Sequence, residues 1–413
     1  MPDTNSEPQA LREFLLNIHS QLQLTGEPPN ELLLKLPAPL IDYIRSLFSH
    51  TDKTAPVLSK TVWDRALQTL SSHGVLPLLY RLMLQDSEGE KEIPSGAMER
   101  VRRSFQASAT RSMIAEKQLR PLLTAIGTAG ERCLILKGPA LSGYLYPSPA
   151  MRPFNDIDIL VLPESFTQVR QVIKNLGYRC EAERFDRSRA LHCEETFRHP
   201  SESTFLPVEL HWDIHHLYGF RGPGTSEDFF ERAIQKPFET LSFEGLNPID
   251  ELIHLTLHMT LVHTRDIRLI WLYDIHLLLK EIHRLKMEEA LYQRAREWSA
   301  SLPLFHALQL TWAWTGHAPP EAFHEAFLLE NTTPEQERRW RALVNRHHNL
   351  PAMIAYRMPP GLPRLEMVRR LMDLAFPPAE NIRKRYRVTH DFLIPFFHIR
   401  RFVERFLLRS WKR

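Results

Sequence analysis

One short segment, DIDILVL at Asp156–Leu162, constrains the fold more than any other part of the chain. Its first residues alternate charged and aliphatic side chains and its last residues are all apolar, which is typical of a strand with one exposed and one buried end. Because side chains alternate across a strand, Asp156 and Asp158 point to the same face. The segment therefore predicts a strand that carries two carboxylates at the rim of a sheet and is anchored in the core.

Two carboxylates at this spacing repel each other unless a positive charge lies between them. Mg²⁺ (or Mn²⁺) is the expected ion, because it takes few protein carboxylates and completes its shell with substrate phosphates. Glu209 in FLPVELHWDIH is a third candidate ligand, since a glutamate between aliphatic neighbours on a strand is costly to bury alone. Together these acids predict a site for divalent ions, which can activate a hydroxyl and stabilise a pyrophosphate leaving group. The predicted metal ligands are Asp156, Asp158 and Glu209.

Short strands and short helices alternate around this segment. CLIL at Cys133–Leu136 predicts a buried strand, and a helix with proline in its first turn follows it. A helix is predicted over Ser165–Leu176, ending at Gly177. Three more strands are predicted in GYRCEAERF, LHCEETFRH and FLPVELHWDIH. These elements predict a small α+β core with a mixed or antiparallel sheet.

Outside this core, apolar residues recur at spacings of three and four, which indicates helices. The predicted fold class is therefore α+β, with helical regions on both sides of the sheet. Three domains are expected: an N-terminal helical region at 1–128, the α+β core at 129–245, and a C-terminal helical region at 246–413.

Composition excludes several classes of protein. The 413 residues are 43% hydrophobic and 24% charged, as in a globular chain of two or three domains. The net charge of +3 is small for a dedicated nucleic-acid coat. The three cysteines are widely spaced and form no CxxC pair, which argues against a disulfide framework and a cysteine-based zinc site. With neither a signal peptide nor a long uncharged apolar stretch, a cytoplasmic protein without a transmembrane segment is expected.

The turn after the first predicted strand is a candidate phosphate site. In LKGPAL, Lys137 and Gly138 end the strand and Pro139 opens a helix, and a glycine turn before a helix N-terminus is a ready anion site. Arg152, in the loop before the acidic pair, is placed to add a second positive charge. His211 shares the face of Glu209 by alternation and is a candidate contact to a phosphate or a metal-bound water. The alternatives are a solvated turn residue for Lys137 and a strand histidine that only covers the site for His211.

Three motifs follow one another along the chain: LKG after a strand, then MRPFNDIDILV, then VELHW. In these motifs the chain resembles the nucleotidyltransferase superfamily, and within it the uncharacterised bacterial family NTP_transf_5. LIHLTLHMTLVH and IRLIWLYDIHLLL are similar to the histidine-rich helix and the Trp-Leu-x-Asp element of that family. The resemblance covers roughly residues 115–279, with a weaker similarity in FPPAENIRKRY. It implies a transferase that moves a nucleoside monophosphate from an NTP to an acceptor and releases pyrophosphate. The implied metal ligands and catalytic residues are Asp156, Asp158 and Glu209, with Gly138 and Lys137 at the nucleotide phosphates.

One departure separates the chain from the wider superfamily, which has Gly-Ser at this turn. Here the turn is Lys-Gly, and residues 139–155 separate it from the acidic pair. The serine that would contact a phosphate is therefore missing. An inactive nucleotidyltransferase-like scaffold that binds a partner protein, a peptide or RNA stays open as the alternative. For an active enzyme the acceptor is also open: a small molecule, a sugar, a peptide or RNA.

Two features of the C-terminal half have competing interpretations. His254, His258 and His263 have a spacing that can bind zinc, but the glutamate of a metalloprotease helix is absent, so histidines packed in a helix interface are favoured. His258 or Asp274 is also a candidate to reach the active-site cleft. The tail from Asn381 interleaves basic and aromatic residues, which suits RNA or an anionic membrane surface. An amphipathic helix docked on the body is the favoured alternative.

Overall fold

The fold is given by a computed structural model of the chain, which describes most of the residues for which the sequence made predictions. The beginning of the predicted N-terminal helical region and the end of the basic tail lie outside the described residues. No helix in the described part of the chain combines the length and the apolar character needed to cross a bilayer. The structure describes residues 36–49, 55–84, 93–182, 192–201, 205–215, 226–263, 267–316 and parts of 333–403.

A mixed sheet of seven strands forms the centre of the described fold, in the order β3-β4-β5-β2-β1-β7-β6. β1 runs antiparallel to β2 and parallel to β7, and β2 runs parallel to β5. β1 and β2 are buried along their whole length. The strands are β1 (Leu134–Leu136), β2 (Ile157–Leu160), β3 (Arg179–Cys180), β4 (Glu194–Arg198), β5 (Val208–His211), β6 (Ile234–Phe238) and β7 (Leu241–Gly245).

Helices precede, interrupt and follow the sheet, so the predicted α+β class with helical flanks is confirmed. The first helices are α1 (Ala38–Ser49), α2 (Lys60–Ser72), α3 (Leu76–Met83) and α4 (Ser95–Thr128). Those within the sheet segment are α5 (Lys137–Leu145), α6 (Phe166–Asn175) and α7 (Ser226–Glu231). Those after it are α8 (Pro248–Leu257), α9 (Leu269–Arg284), α10 (Glu288–Glu297), α11 (Ser301–Thr315), α12 (Ala379–Tyr386) and α13 (Ile394–Phe402).

The predicted strands and helices of the core are confirmed, with shorter bounds. The helix after β1 begins at Lys137 rather than after Pro139, and α6 ends before Gly177, whose φ of +92° suits glycine. The β6–β7 hairpin was not predicted. Pro237 interrupts its apolar pattern, and the position is tolerated because β6 is an edge strand.

The sheet separates two hydrophobic cores. One face packs Ile135 and Ile159 against the C-terminal half of α4 and against α6, which contributes Phe166. The other face carries Leu136 and Leu160 and packs against helices from both flanks. Since Asp158 lies two residues before Leu160 on the same strand, its side chain points to this second face, where both helical flanks meet the sheet.

Helix α4 links the two cores and fixes the start of β5. It is 34 residues long, and its residues Val101 and Leu119 belong to different cores. In its middle the buried Gln118 side chain donates to the Leu206 carbonyl at 2.7 Å and accepts from the Leu206 amide at 2.8 Å. This pair of bonds holds the chain just before β5, and therefore helps to position Glu209.

Buried ion pairs join α8 to the rest of the fold. Lys236 Nζ of β6 lies 2.7 Å from Glu251 Oε2, and neither side chain is exposed to solvent. Asp250 accepts from Arg294 Nε of α10 at 2.7 Å. Removing one partner of such a pair leaves an uncompensated buried charge, so these contacts fix α8 and the π-helical turn His258–Val262 that follows it.

His73 joins the N-terminal helices to α9 and makes the stability of the protein sensitive to acid. Its Nδ1 accepts from the Leu269 amide at 3.3 Å, and its carbonyl accepts from the Ile270 amide at 3.3 Å. Burial, with a smaller contribution from the charge of Arg268, lowers the pKa of His73 to about 4. The unfolded chain binds a proton near pH 6.5, whereas the folded chain resists it until about pH 4.

We therefore expect His73 to contribute a loss of about 3 kcal/mol of folding free energy as the pH falls from 6.5 to 4. Thermal or urea unfolding of wild type and His73→Gln across this range measures the contribution. The glutamine variant loses less stability per pH unit than wild type, although other buried histidines titrate in both. Parallel pH profiles of the two proteins would contradict the prediction.

Candidate active site

Asp158 is the centre of a group of ionisable side chains on the face of the sheet that meets the helices. The parallel register of β2 and β5 places Asp158 opposite Glu209. Asp158 Oδ1 accepts from Lys137 Nζ at 3.0 Å and from His211 Nε2 at 2.9 Å. His211 Nε2 also lies 3.9 Å from Glu209 Oε2, and Asp156, directly before β2, lines the same cavity. The sheet therefore brings together all three predicted acids, the lysine and the histidine.

Lys137 reaches this group from an unusual backbone conformation. It directly follows Leu136, which lies opposite Asp158 in the antiparallel register. Its φ is +45°, in the left-handed region that a long side chain adopts only at a cost. The side chain is 14% exposed and pairs with Asp158. The alternative of a solvated turn residue is therefore wrong.

Gly138 is required by close packing at the same turn. A Cβ atom at this position would lie 3.0 Å from Phe154 Cβ and 3.1 Å from its Cγ. The absence of a side chain lets the loop before β2 lie against the start of α5. The structure thus explains the Lys-Gly order of the turn: the glycine is needed for packing, and the lysine side chain enters the acidic group.

Burial and crowding set the ionisation of the three acids. Burial alone would raise the pKa of Asp158, but the charge of Lys137 and the hydrogen bond from His211 outweigh it and hold that pKa well below its usual range. Burial, and then the charge of Asp158, raise the pKa of Glu209 to about 8. The same two causes raise the pKa of Asp156. The site therefore holds more carboxylates than its two cations can neutralise.

The bases of the group are cationic. Burial lowers the pKa of Lys137, but the charges of Asp158 and Asp156 raise it by more. Burial also lowers the pKa of His211, but the hydrogen bond with Asp158 has the larger opposite effect. The pKa of His211 is therefore raised well above its usual range. In the metal-free protein both side chains therefore favour their protonated, positively charged forms, which suit an anionic ligand.

The donor set fits a divalent cation. Donor atoms of Asp158, Glu209 and His211 lie within 4.8 Å of one another, close enough to converge on one ion after small rotations. The raised pKa values of Glu209 and Asp156 reflect excess negative charge, which such an ion would relieve. Carboxylate oxygens are the ligands that Mg²⁺ prefers.

A cavity of about 690 Å³ opens over this group and is walled by both helical flanks. The N-terminal flank contributes Ser108 and Arg111 of α4, and the C-terminal flank contributes His258, His263 and Trp271. His258, one of the two candidates to reach the cleft from the C-terminal half, lines it. The size suits a ligand larger than a bare ion, because small-molecule sites commonly span about 300–1,000 Å³.

Arg152 lines the cavity and is also held from behind. Its Nε and Nη2 donate to Asp274 Oδ2 of α9 at 3.2 and 2.8 Å, and Tyr146 Oη donates to Asp274 Oδ1 at 2.6 Å. Arg152 is only 4% exposed and Asp274 is fully buried. The sequence placed Arg152 at the phosphates but did not predict this partner. Asp274 lies beneath the cleft and does not line it.

A family model described as "Uncharacterised nucleotidyltransferase" (NTP_transf_5) matches residues 59–316. The chain belongs to this family of nucleotidyltransferases. The match runs from the start of α2 to the end of α11, so it includes the sheet, the acidic group and both walls of the cavity. The resemblance inferred from the motifs is confirmed over a longer stretch than those motifs cover. No curated protein matches the chain.

The histidine-rich helix packs against Trp271. The ring centroid of His258 lies 4.6 Å from that of His263, 6.2 Å from that of His254 and 5.5 Å from that of Trp271. Burial, and then the charge of Lys137, lower the pKa values of His254 and His258 well below their usual range. Within the described part of the chain, these rings are not among the groups that could hold a metal. The contacts among these rings and Trp271 are those expected of histidines packed in a helix interface.

Two residues of the candidate site were missed in the sequence. Glu194 of β4 lies opposite His211 in the antiparallel register, with 3.5 Å between Glu194 Oε2 and His211 Nδ1. Cys193, directly before it, lines the same cavity. The alternation in LHCEETFRH predicts a strand, but neither strand alone gives the register that sets these side chains against His211.

Proposed function

We propose that this chain is a metal-dependent nucleotidyltransferase that moves a nucleoside monophosphate from an NTP to an acceptor and releases pyrophosphate. The observation that carries the proposal is the register that sets Asp158 beside Glu209, with Asp156 before β2 and Lys137 after β1. Membership of a nucleotidyltransferase family supports the same reaction class. In this proposal Asp156, Asp158 and Glu209 hold Mg²⁺ (or Mn²⁺).

The bound cation supplies positive charge to the transferring phosphoryl group and the pyrophosphate leaving group. Lys137, cationic and facing the cavity, binds phosphate oxygens, and the amide of Gly138 lies at the N-terminus of α5, where backbone N–H groups favour anions. Arg152 lines the same cavity and adds a second positive charge near the phosphates. His211 neutralises charge from the β5 side. Glu209 accepts the proton of the attacking hydroxyl, since Asp158 is enclosed by Lys137 and His211.

The flanks have separate roles in this proposal. Residues 129–245 bind the nucleotide, while the helical regions at 1–128 and 246–413 close the cavity and supply its acceptor side. The cysteines in the described residues are free, as in proteins of reducing compartments, and we place the reaction in the cytoplasm. Phe392, Phe396 and Ile399 on the described part of the tail are exposed, which leaves a peripheral contact with an anionic surface as a further proposed role.

A scaffold without catalysis is the second candidate function. Lys137 and His211 already neutralise Asp158 without a metal, which supports it. The Lys-Gly turn, in place of Gly-Ser, supports it as well. In that case the cavity binds no nucleotide, and a partner protein, a peptide or RNA binds the helical flanks instead.

Thermal unfolding with nucleotides separates the two candidates without knowledge of the acceptor. The protein is melted with each of the four ribonucleoside triphosphates, with and without Mg²⁺. A ligand at about 100 times its Kd adds about 2.7 kcal/mol, so we expect a Mg²⁺-dependent rise in Tm.

The double variant Asp156→Asn/Asp158→Asn is expected to lose that rise relative to its own nucleotide-free Tm. The matched control removes two exposed carboxylates, in Asp64→Asn/Glu164→Gln, and is expected to keep it. No rise with any nucleotide at millimolar concentration would overturn the transferase proposal in favour of the scaffold. A rise that survives in the acidic-site variant would overturn the transferase proposal as well, because it would place the nucleotide away from Asp156 and Asp158.

A further inference from the structure

A second group of ligand atoms lies on the far side of the His211 ring from Asp158. Donor atoms of Cys193, Glu194 and His211 lie within 4.8 Å of one another. Cys193 Sγ is 4.0 Å from Glu194 Oε2, and His211 Nδ1 is 3.5 Å from the same oxygen. The proposed transfer uses neither the thiol nor this carboxylate.

The sheet builds this group through a local bend. Glu194 faces His211 across the β4–β5 pair. The Trp212 amide, directly after β5, donates to the carbonyl of Cys193, directly before β4, at 2.9 Å. Neighbouring residues of a regular strand point to opposite faces. The chain bends at Cys193, so the thiol and the carboxylate both lie beside one imidazole.

The Nδ1 atom of His211 lacks a hydrogen-bond partner among the described residues. His211 is 3% exposed, and its Nδ1 is buried with no hydrogen-bond partner among the described residues. The other nitrogen, Nε2, is already bonded to Asp158 Oδ1 at 2.9 Å. Leaving a buried polar atom unsatisfied is costly. A buried nitrogen that faces a thiol and a carboxylate is therefore an independent sign of a ligand at this point.

We propose that Cys193, Glu194 and His211 Nδ1 bind a zinc-class divalent cation, next to the carboxylate site and distinct from it. Thiolate and imidazole ligands select Zn²⁺ over Mg²⁺, and three protein ligands leave a fourth position for water or a ligand in the cavity. Binding releases the thiol proton, and any proton on Nδ1, to solvent.

His211 then holds an ion through Nδ1 and donates Nε2–H to Asp158. When a histidine binds a metal through one ring nitrogen, a carboxylate that accepts from the other nitrogen fixes the tautomer and orientation of the ring. The ring would thus couple the zinc-class site to the central acid of the cleft. The inference does not depend on the proposed transfer, because it rests on the ligand set alone.

Cobalt is the probe for the test, since Co²⁺ substitutes for Zn²⁺ and reports thiolate ligation by absorbance. The reduced full-length protein is titrated with Co²⁺ in the presence of Mg²⁺. We expect a thiolate-to-cobalt charge-transfer band at one equivalent, which Zn²⁺ then abolishes. Cys193→Ser is expected to lose the band and to bind Co²⁺ more weakly than wild type, since it removes the thiolate ligand. The matched controls Cys133→Ser and Cys180→Ser are expected to keep it.

A measurement on the wild-type protein removes any dependence on the folding of the variants. Alkylation of the reduced protein, mapped by mass spectrometry, is compared with and without Zn²⁺. Zn²⁺ is expected to protect Cys193 and to leave the labelling of Cys133 and Cys180 unchanged. The absence of a charge-transfer band in wild type, a band that persists in Cys193→Ser, or equal labelling of Cys193 with and without Zn²⁺ would each overturn the proposal. The Mg²⁺-dependent nucleotide response of Cys193→Ser reports the other site separately.

Discussion

Replacing Asp274 with asparagine is expected to lower the free energy of unfolding by about 3–5 kcal/mol, because it leaves a buried guanidinium without its counter-charge. Asp274 is fully buried and accepts from Arg152 and from Tyr146. A guanidinium is effectively always protonated in proteins, so Arg152 stays charged when its partner is lost. Thermal and urea unfolding of Asp274→Asn measure the effect.

A double-mutant cycle shows whether the loss comes from this pair. Arg152→Gln/Asp274→Asn removes both charges and is expected to recover a large part of the stability that Asp274→Asn loses. Asp64→Asn, which removes an exposed partner of Lys60 3.4 Å away, is the control, with an expected change below about 1 kcal/mol. Additive losses in the cycle would contradict the pairing.

The same variant tests how the helical flank supports the cleft. Arg152 ends the 3₁₀ turn Pro149–Met151 and lies four residues before Asp156. We expect Asp274→Asn, at a temperature where it is folded, to weaken the Mg²⁺-dependent nucleotide response although all three predicted metal ligands are intact. Such a loss would identify Asp274 as a residue that positions Arg152 from behind the cleft, and an unchanged response would contradict this role.

Local patterns predicted the strands of the site well, because their signals are short and contained in one segment. DIDILVL and VELHW each show a strand by alternation, and alternation also placed His211 on the face of Glu209. The β6–β7 hairpin was missed since Pro237 and charged residues break its pattern, and only its place at the sheet edge explains why that is tolerated.

Pairings across long sequence separations could not be read in advance. Nothing in the sequence around Arg152 points to Asp274, and nothing in LHCEETFRH points to His211. These contacts depend on strand register and helix placement, which the packing of two cores determines together. The sequence also suggested that the acidic pair lies at an accessible rim. Asp158 is 1% exposed, because Lys137 and His211 enclose it.

Because Asp158 is enclosed by cations and Glu209 is not, replacing each acid is expected to change the stability of the protein in opposite directions. Asp158 has two cationic partners, so its removal costs stability as well as function. Glu209 lies among other carboxylates, and their charges contribute to raising its pKa. Glu209→Gln is therefore expected to stabilise the metal-free protein by about 1–3 kcal/mol at neutral pH, since the wild-type carboxyl must take up a proton on folding and glutamine need not.

In the same variant, transfer from an NTP is expected to fall by about 10²–10³-fold, the cost of losing one preorganised charged group at a reacting phosphate. Transfer of an α-phosphate label from NTP to acceptors in fractionated cell extract measures it, beside the unfolding of the metal-free variant. A structural glutamate would lose stability and activity together when it is replaced. Opposite changes, higher Tm and lower transfer, are the signature of a carboxylate retained for a cation and a substrate, and full transfer by Glu209→Gln would remove Glu209 from the proposed ligand set.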